Sequence, residues 1–371
     1  MMTNRLCRLL VGGAISLVLA VPMAYAENVT LSESGSTLLY PLFQSWIAGY
    51  KTISPTTELT AAATGSGAGT DAAIKGAVRI GTSDAYLSDE VAARNPNILD
   101  IPLAISAQTI NYNLPGLNGK NIKIDGSTLA AIYSGKITQW DDPAIKAMNP
   151  GVVLPHKTII PVRRADGSGD TFIFTQFLDF STEKGESAPG YDATISGTTV
   201  NTVMAWPNVG TTISWPGVAA EKAAIGNDGV VRTLASTPYS IGYVGISYAG
   251  QITKAGVGTA LVKNQEGSFL RPTPQTIAAA AAELDPRTPA YERITLIYAP
   301  GKNSYPLINY EYAVVSKSQP NAAVADALRS FLLWAISETG GNGGSYLKPV
   351  GFIPLPSFIR GLSEAQIAAI K

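Results

Sequence analysis

TELTAAATGSGAGTDAAIKGAVRIGTSDA, residues 57–85, alternates two kinds of local order. Thr57 to Ala62 predicts a strand, with Leu59 the apolar side chain at its centre. Thr64-Gly65-Ser66-Gly67-Ala68-Gly69-Thr70 is a run of small residues and hydroxyls that can only be a tight connection or a helix start. Ala72, Ala73 and Ile74 continue as a helix, and Val78 to Gly81 returns as a second strand. A strand, a glycine-rich junction, a helix and another strand make the unit from which α/β layers are built.

The same alternation extends outward in both directions. Leu38, Leu39, Leu42, Phe43, Trp46, Ile47 and Tyr50 recur at helical spacing and predict an amphipathic helix over residues 37–51. Ser127 is placed to cap a helix with Leu129, Ile132 and Tyr133 on one face, stopped by Gly135. Thr158 to Val162 predicts a strand and Gly169 to Leu178 a helix. Thr273 and Pro274 open an alanine-rich helix, and Asn321 caps another that closes at Gly340-Gly341; Tyr305 to Val315 is a strand between them. Residues 181–220 and 250–272 are rich in Gly, Ser, Thr and Pro and predict irregular connections. The aromatic stripes are core faces, and no internal repeat is visible.

Charge and composition exclude several classes of function. Arg5 and Arg8, the apolar run Leu9 to Val21 and Ala24-Tyr25-Ala26 have the form of a cleavable secretion signal over residues 1–26. The run is short for a membrane anchor, which needs roughly 18 apolar residues. The whole chain has 27 basic and 27 acidic residues. Loss of Arg5 and Arg8 leaves the acids two ahead, which argues against nucleic acid as a partner. Cys7, the single cysteine, leaves with the signal, so neither a disulfide nor thiol chemistry is expected. His156 is the single histidine and reads as a surface-loop residue, too little for a zinc site or a hydrolase triad. No cofactor, metal or catalytic residue is expected, and the mature chain should be a soluble monomer of about two domains.

Three segments place glycines and hydroxyls where a strand or loop feeds a helix: Gly35-Ser36-Thr37-Leu38, Thr64 to Thr70, and Arg164-Ala165-Asp166-Gly167-Ser168-Gly169-Asp170-Thr171. A helix start exposes unpaired N–H donors and the positive end of the dipole, which suit an anion. Ordinary N-capping explains any one of them. Three together, one with an arginine, point to an oxyanion site, and none has the spacing of a P-loop. Gly81-Thr82-Ser83-Asp84-Ala85 adds a carboxylate where an anion would want none. Asp84 is either a cap or arginine partner, or an acceptor that selects a proton-bearing oxyanion. Phosphate keeps a proton near neutral pH and sulphate does not. Sites built to use a donor on the substrate reject analogues lacking it by about 10⁴–10⁵-fold.

In order and context these segments resemble the phosphate-binding proteins of the bacterial ABC-type phosphate transport system. Ile132-Tyr133-Ser134-Gly135-Lys136-Ile137, Trp140-Asp141-Asp142, Gly226-Asn227-Asp228-Gly229 and Ile241-Gly242-Tyr243-Val244 extend the resemblance over nearly the whole mature chain. It implies a two-lobed periplasmic-binding-protein fold of type II, an α/β fold whose ligand cleft lies between lobes joined by a hinge of extended segments. Residues 27–113 with 304–371 would form lobe 1 and residues 114–303 lobe 2, with crossings near Asn111–Leu114 and Lys302–Tyr305. Carried over by position, Thr37, the Leu38 backbone and Ser66 would donate to phosphate and Asp84 would accept its proton. Arg164 would supply positive charge, oriented by Asp166, and Ser168 with the Gly169 backbone would complete the shell. Arg163 should face outward, since neighbours on a strand alternate sides. Asp170 stands where threonine often occurs; its N–H can still donate, and its carboxylate either accepts a second phosphate proton or caps the helix. The resemblance also implies a membrane permease as partner and a periplasmic location. A receptor for sulphate or molybdate, a secreted phosphatase and an adhesive surface protein on the same fold are the other readings.

Overall fold

The computed structural model describes residues 28–182, 206 and 208–371. The expected secretion signal at 1–26, Cys7 and much of the connection expected at 181–220 lie outside the described residues. In chain order the elements are β1 (Val29–Gly35), α1 (Tyr40–Ile53), β2 (Thr57–Thr60), α2 (Ser66–Ile74), β3 (Ile80–Ser83), α3 (Asp89–Arg94), β4 (Ile98–Tyr112), β5 (Lys123–Ile124), α4 (Gly126–Tyr133), α5 (Pro143–Met148), β6 (Ile160–Arg164) and α6 (Gly169–Thr182). They continue with β7 (Lys222–Ala224), α7 (Gly226–Ser236), β8 (Ser240–Gly245), α8 (Ala249–Lys254), β9 (Gly258–Thr259), β10 (Leu261–Lys263), β11 (Phe269–Leu270), α9 (Pro274–Leu284), β12 (Ile308–Ser316), α10 (Ala322–Ile336), α11 (Gly344–Val350) and α12 (Ser357–Ala368).

The main sheet runs β2-β1-β3-β12-β4-β8-β6-β7, with β9 beside β4. Strands β1, β2 and β3 are parallel to one another, and β12 lies antiparallel between β3 and β4. Strand β4 belongs to two sheets in succession. Its residues from Ile98 to Ala107 pair with β12, and those from Gln108 to Tyr112 pair with β8. Beyond it, β8, β6 and β7 are parallel. The α/β fold is therefore two-lobed, each lobe a helix-covered half of one continuous sheet.

Burial explains why the strands lie where they do. All of β4 after Ile98 is buried, because helices cover both faces of the sheet. Such a strand shows no apolar–polar alternation, and for that reason periodicity did not single it out. Pro102 lacks the N–H that a ladder needs, and the register with β12 slips there: Glu311 pairs with Ala104 but Tyr312 with Pro102. In lobe 1, Phe43, Trp46 and Tyr50 of α1 pack against Phe331 and Trp334 of α10, and the Trp46 indole N–H donates to Gly341 O at 2.9 Å. In lobe 2, Phe174 of α6 stacks on Tyr243 of β8 with ring centroids 4.4 Å apart.

Several local expectations are corrected. Helix α1 begins at Tyr40 because residues 37–39 form a turn, held by the Leu39 N–H donating to Ser36 Oγ at 2.9 Å. Asp125, one turn ahead of Ser127, caps α4 by accepting from Thr128 N at 2.9 Å. The segment 250–272 is not irregular: it holds most of α8 and the short strands β9, β10 and β11, with β10 pairing to β5. Thr273 does cap α9, and Asn321 does cap α10. Among the described residues no helix is long and apolar enough to cross a membrane.

Helix α2 lies against β1 at Gly69, where a Cβ would stand 2.4 Å from Ser34 O and 2.5 Å from Gly35 Cα. Both neighbours are backbone and cannot move aside. Gly69→Ala should therefore destabilise the fold by about 1–3 kcal/mol, the usual cost of overpacking, seen as a lower urea midpoint. An unchanged midpoint would show that this contact is slack.

Candidate functional site

Strand β1 ends at Gly35, and the chain turns through Ser36, Thr37 and Leu38 into α1. Gly65, at φ +92°, turns the backbone into α2 in a conformation that suits glycine. A Cβ there would also lie 2.7 Å from Asp166 Oδ2 of the other lobe. Strand β3 ends one residue before Asp84, and β6 ends on Arg164, ahead of the loop that starts α6. Sheet topology alone thus brings four strand ends and three helix starts to one place. Thr37, Leu38, Ser66, Asp84, Arg164, Ser168, Gly169 and Asp170 are all buried.

Contacts join most of these residues directly. Asp84 accepts hydrogen bonds from the Ser36 hydroxyl on Oδ1 and from the Ser66 hydroxyl on Oδ2 at 3.2 Å. Gly169 sits over it, so that a Cβ would fall 2.6 Å from both Asp84 Oδ2 and Ser66 Oγ. Arg164 forks onto Asp166, Nε to Oδ1 at 2.7 Å and Nη2 to Oδ2, while its Nη1 meets Asp170 Oδ2 at 2.9 Å. Its side chain is 1% exposed, against 24% for Arg163, which instead pairs with Glu221 at 2.9 Å. Ser168 Oγ caps α6 by accepting from Thr171 N at 3.3 Å. The Leu38, Gly169 and Asp170 N–H groups find no acceptor among the described residues, as the first turn of a helix or a tight turn allows.

The two lobes meet across this cluster. Gly67 N donates to Gly167 O at 3.0 Å. Asn227, at the start of α7, donates from Nδ2 to Thr37 Oγ1 at 2.9 Å and to Asp170 Oδ2 at 2.6 Å, and its Oδ1 accepts from Gly245 N at 2.8 Å. Gln108 Nε2 donates to Asp170 O at 2.8 Å and to Asp170 Oδ1 at 3.1 Å. The Asp170 carboxylate is accordingly taken up by Arg164, Asn227 and Gln108.

Burial in this low-dielectric cluster pushes the Asp84 carboxyl up to about 7, with the charge of Asp170 adding to it; the Ser36 hydroxyl, Glu311 and Arg164 hold it down. Burial also raises Asp170, opposed first by the Arg164 cation. Asp166 is lowered, because its bonds to Arg164 and to Gly226 N outweigh its partial burial. Ser36, Gln108, Asn227 and Glu311 are the members that sequence reasoning did not assign. Ser36 and Asn227 stood inside motifs already singled out, whereas Gln108 and Glu311 sit mid-strand, with no local signal. His156 is an exposed loop residue beside Asp141. Among the described residues no group of three or more His, Cys, Asp or Glu could hold a metal ion.

Residues 24–339 match the model of the PBP superfamily domain. The chain is also 31% identical over 363 residues to the phosphate-binding protein PstS of Methanocaldococcus jannaschii, which spans 93% of this chain and 87% of that one. It belongs to the phosphate-binding family of the PBP superfamily. PstS of Pasteurella multocida is 29% identical over 337 residues, spanning 91% and 89% of the two chains. Two solved structures share the fold of this family member. A phosphate-binding protein from Stenotrophomonas maltophilia has a TM-score of 0.66 at 22% identity, covering 91% of this chain and 93% of that one. The high affinity periplasmic phosphate-binding protein PfluDING, bound with phosphate, has a TM-score of 0.67 at 19% identity with the same coverage.

One support of the site titrates. Ser36 N donates to Thr82 Oγ1 at 2.8 Å, and that hydroxyl in turn donates to Glu33, whose burial pushes its carboxyl from 4.5 up to about 8. A raised folded-state value means that the fold holds the proton more tightly than the unfolded chain. The stabilisation is complete below about 4.5 and is lost as pH rises through about 8. Thermal unfolding should show Glu33→Gln gaining on the wild type between pH 5 and 8. Parallel curves for the two proteins would mean that Glu33 is ionised throughout.

Proposed function

We propose that this chain captures inorganic phosphate in the periplasm and presents it to the membrane permease of an ABC-type importer. The observation that carries this reading is Asp84: a buried carboxylate placed among helix-start N–H donors, hydroxyls and a buried arginine. Donors and the guanidinium attract any oxyanion. Asp84 admits one that brings a proton, since a proton-free dianion such as sulphate meets its charge with nothing to share. In this reading Thr37, the Leu38 N–H, Ser66, Ser168 and the N–H groups of Gly169 and Asp170 donate, and Arg164 supplies charge in an orientation set by Asp166. The Asp170 carboxylate, held by Arg164, Asn227 and Gln108, is best read as aligning the arginine.

The hinge follows from the sheet. Gln108 N bonds Leu307 O at 2.9 Å, where β4 changes partners and just before β12 begins. We place the two crossings here, between residues 107 and 108 and near 307, each a few residues from where sequence alone put them. Rotation about two extended strands opens the cleft as a rigid-body motion. Thr37–Asn227 and Gly67–Gly167 are contacts that such an opening breaks. A permease can then tell loaded protein from empty by lobe geometry, with the protein acting as a binding module and not as an enzyme.

Calorimetric titration of the stripped mature chain tests this. A single phosphate per monomer should bind, and sulphate in excess should not compete. Asp84→Asn should weaken phosphate and lessen the rejection of sulphate; unchanged discrimination would remove Asp84 from the role of acceptor. Arg164→Ala should cost about 2–5 kcal/mol of binding, as expected for truncating one partner of a buried charge pair. Arg163→Ala should cost far less, and equal losses would contradict the facing of the two arginines.

A further inference from the structure

Glu311 lies on β12 directly behind the site and has no exposed surface. It stands at the place where the β4 register slips around Pro102. Such bulges re-aim side chains beside functional sites. Asn309, two residues earlier on the same face, donates from Nδ2 to Asp84 O at 3.2 Å and to Glu311 Oε1 at 3.0 Å. The Ser106 hydroxyl also reaches Glu311 Oε1, at 2.6 Å. Oε1 thus has two donors, whereas among the described residues no N–H or O–H reaches the buried Oε2. The charged group that faces Glu311 is Asp84, with which its carboxyl is hydrogen-bonded; Arg164 and Asp170 act on Asp84 from the far side.

Two buried carboxyls in contact cannot both be anions, so the pair shares a proton. Geometry says where it rests. Asp84 is turned toward the hydroxyls of Ser36 and Ser66 and toward the Arg164 cation, all of which favour its charge. Glu311 has two neutral donors on one oxygen and Asp84 against the other.

We propose that Glu311, as a neutral acid donating its Oε2–H to Asp84, is the positioning residue that keeps Asp84 an anionic acceptor. The inference rests on the phosphate reading above. An Asp84 that took the proton itself could donate to sulphate, and the site would lose its means of telling the two ions apart. Glu311 touches Asp84 and not the ligand.

The test uses the stripped full chain in phosphate and sulphate titrations, with infrared difference spectra of the unliganded protein at pH 7. Glu311→Leu removes the donor and should lower the phosphate-to-sulphate affinity ratio about 10–100-fold, the range for a hydrogen bond to a charged group. Glu311→Gln can donate from its amide at any pH and should recover most of that ratio. Glu311→Gln should also delete one protonated-carboxyl C=O band from the wild-type spectrum. Equal losses in both variants, an unchanged ratio in Glu311→Leu, or a band that persists in Glu311→Gln would each overturn the assignment. Failure of the wild type to bind phosphate would instead remove the ligand reading, and the infrared arm would still decide where the proton rests.

Discussion

A buried arginine among buried carboxylates is the constraint to which the rest of the molecule answers. Removing a charged group from water costs several kcal/mol per ion unless partners compensate. Here Arg164 is compensated by Asp166 and Asp170, and those carboxylates in turn by Gly226 N, Asn227 and Gln108. The partners come from β4, the β6–α6 loop and the start of α7, so the cluster can form only when both sides of the main sheet are complete. Folding of the sheet and assembly of the site are one event.

That dependence also explains how the lobes communicate. Strand β4 is built into both lobes, and Gln108, the first residue of its second half, reaches Asp170 in the site. Thr37 of lobe 1 is held by Asn227 of lobe 2. Phosphate presence is therefore coupled to lobe position through direct hydrogen bonds, without a long chain of intermediates.

How much was legible depended on whether the chemistry was local. Ser66, Ser168 and the arginine pair were visible because a helix start or a strand's alternation marks its residues in sequence. The opposite facing of Arg163 and Arg164 follows from strand geometry alone. Strand β4 was invisible because it is covered on both faces, and its pattern is a bare apolar run interrupted by Pro102. Gln108 and Glu311 went unread with it, since each becomes part of the site only through pairing with a distant strand. Asp125, not Ser127, capped α4: both are good caps, and the choice fell to where the helix axis meets Phe177 and Ser181. The family resemblance supplied what periodicity could not, namely that separate helix starts converge.

The most direct measurement of the central claim is a crystal structure of the mature chain with phosphate added after stripping. One tetrahedral ion should lie between the starts of α1, α2 and α6, within hydrogen-bonding distance of Ser66, Arg164, Ser168 and an oxygen of Asp84. Phosphate seated elsewhere, or held only by exposed side chains with Asp84 turned away, would contradict the account.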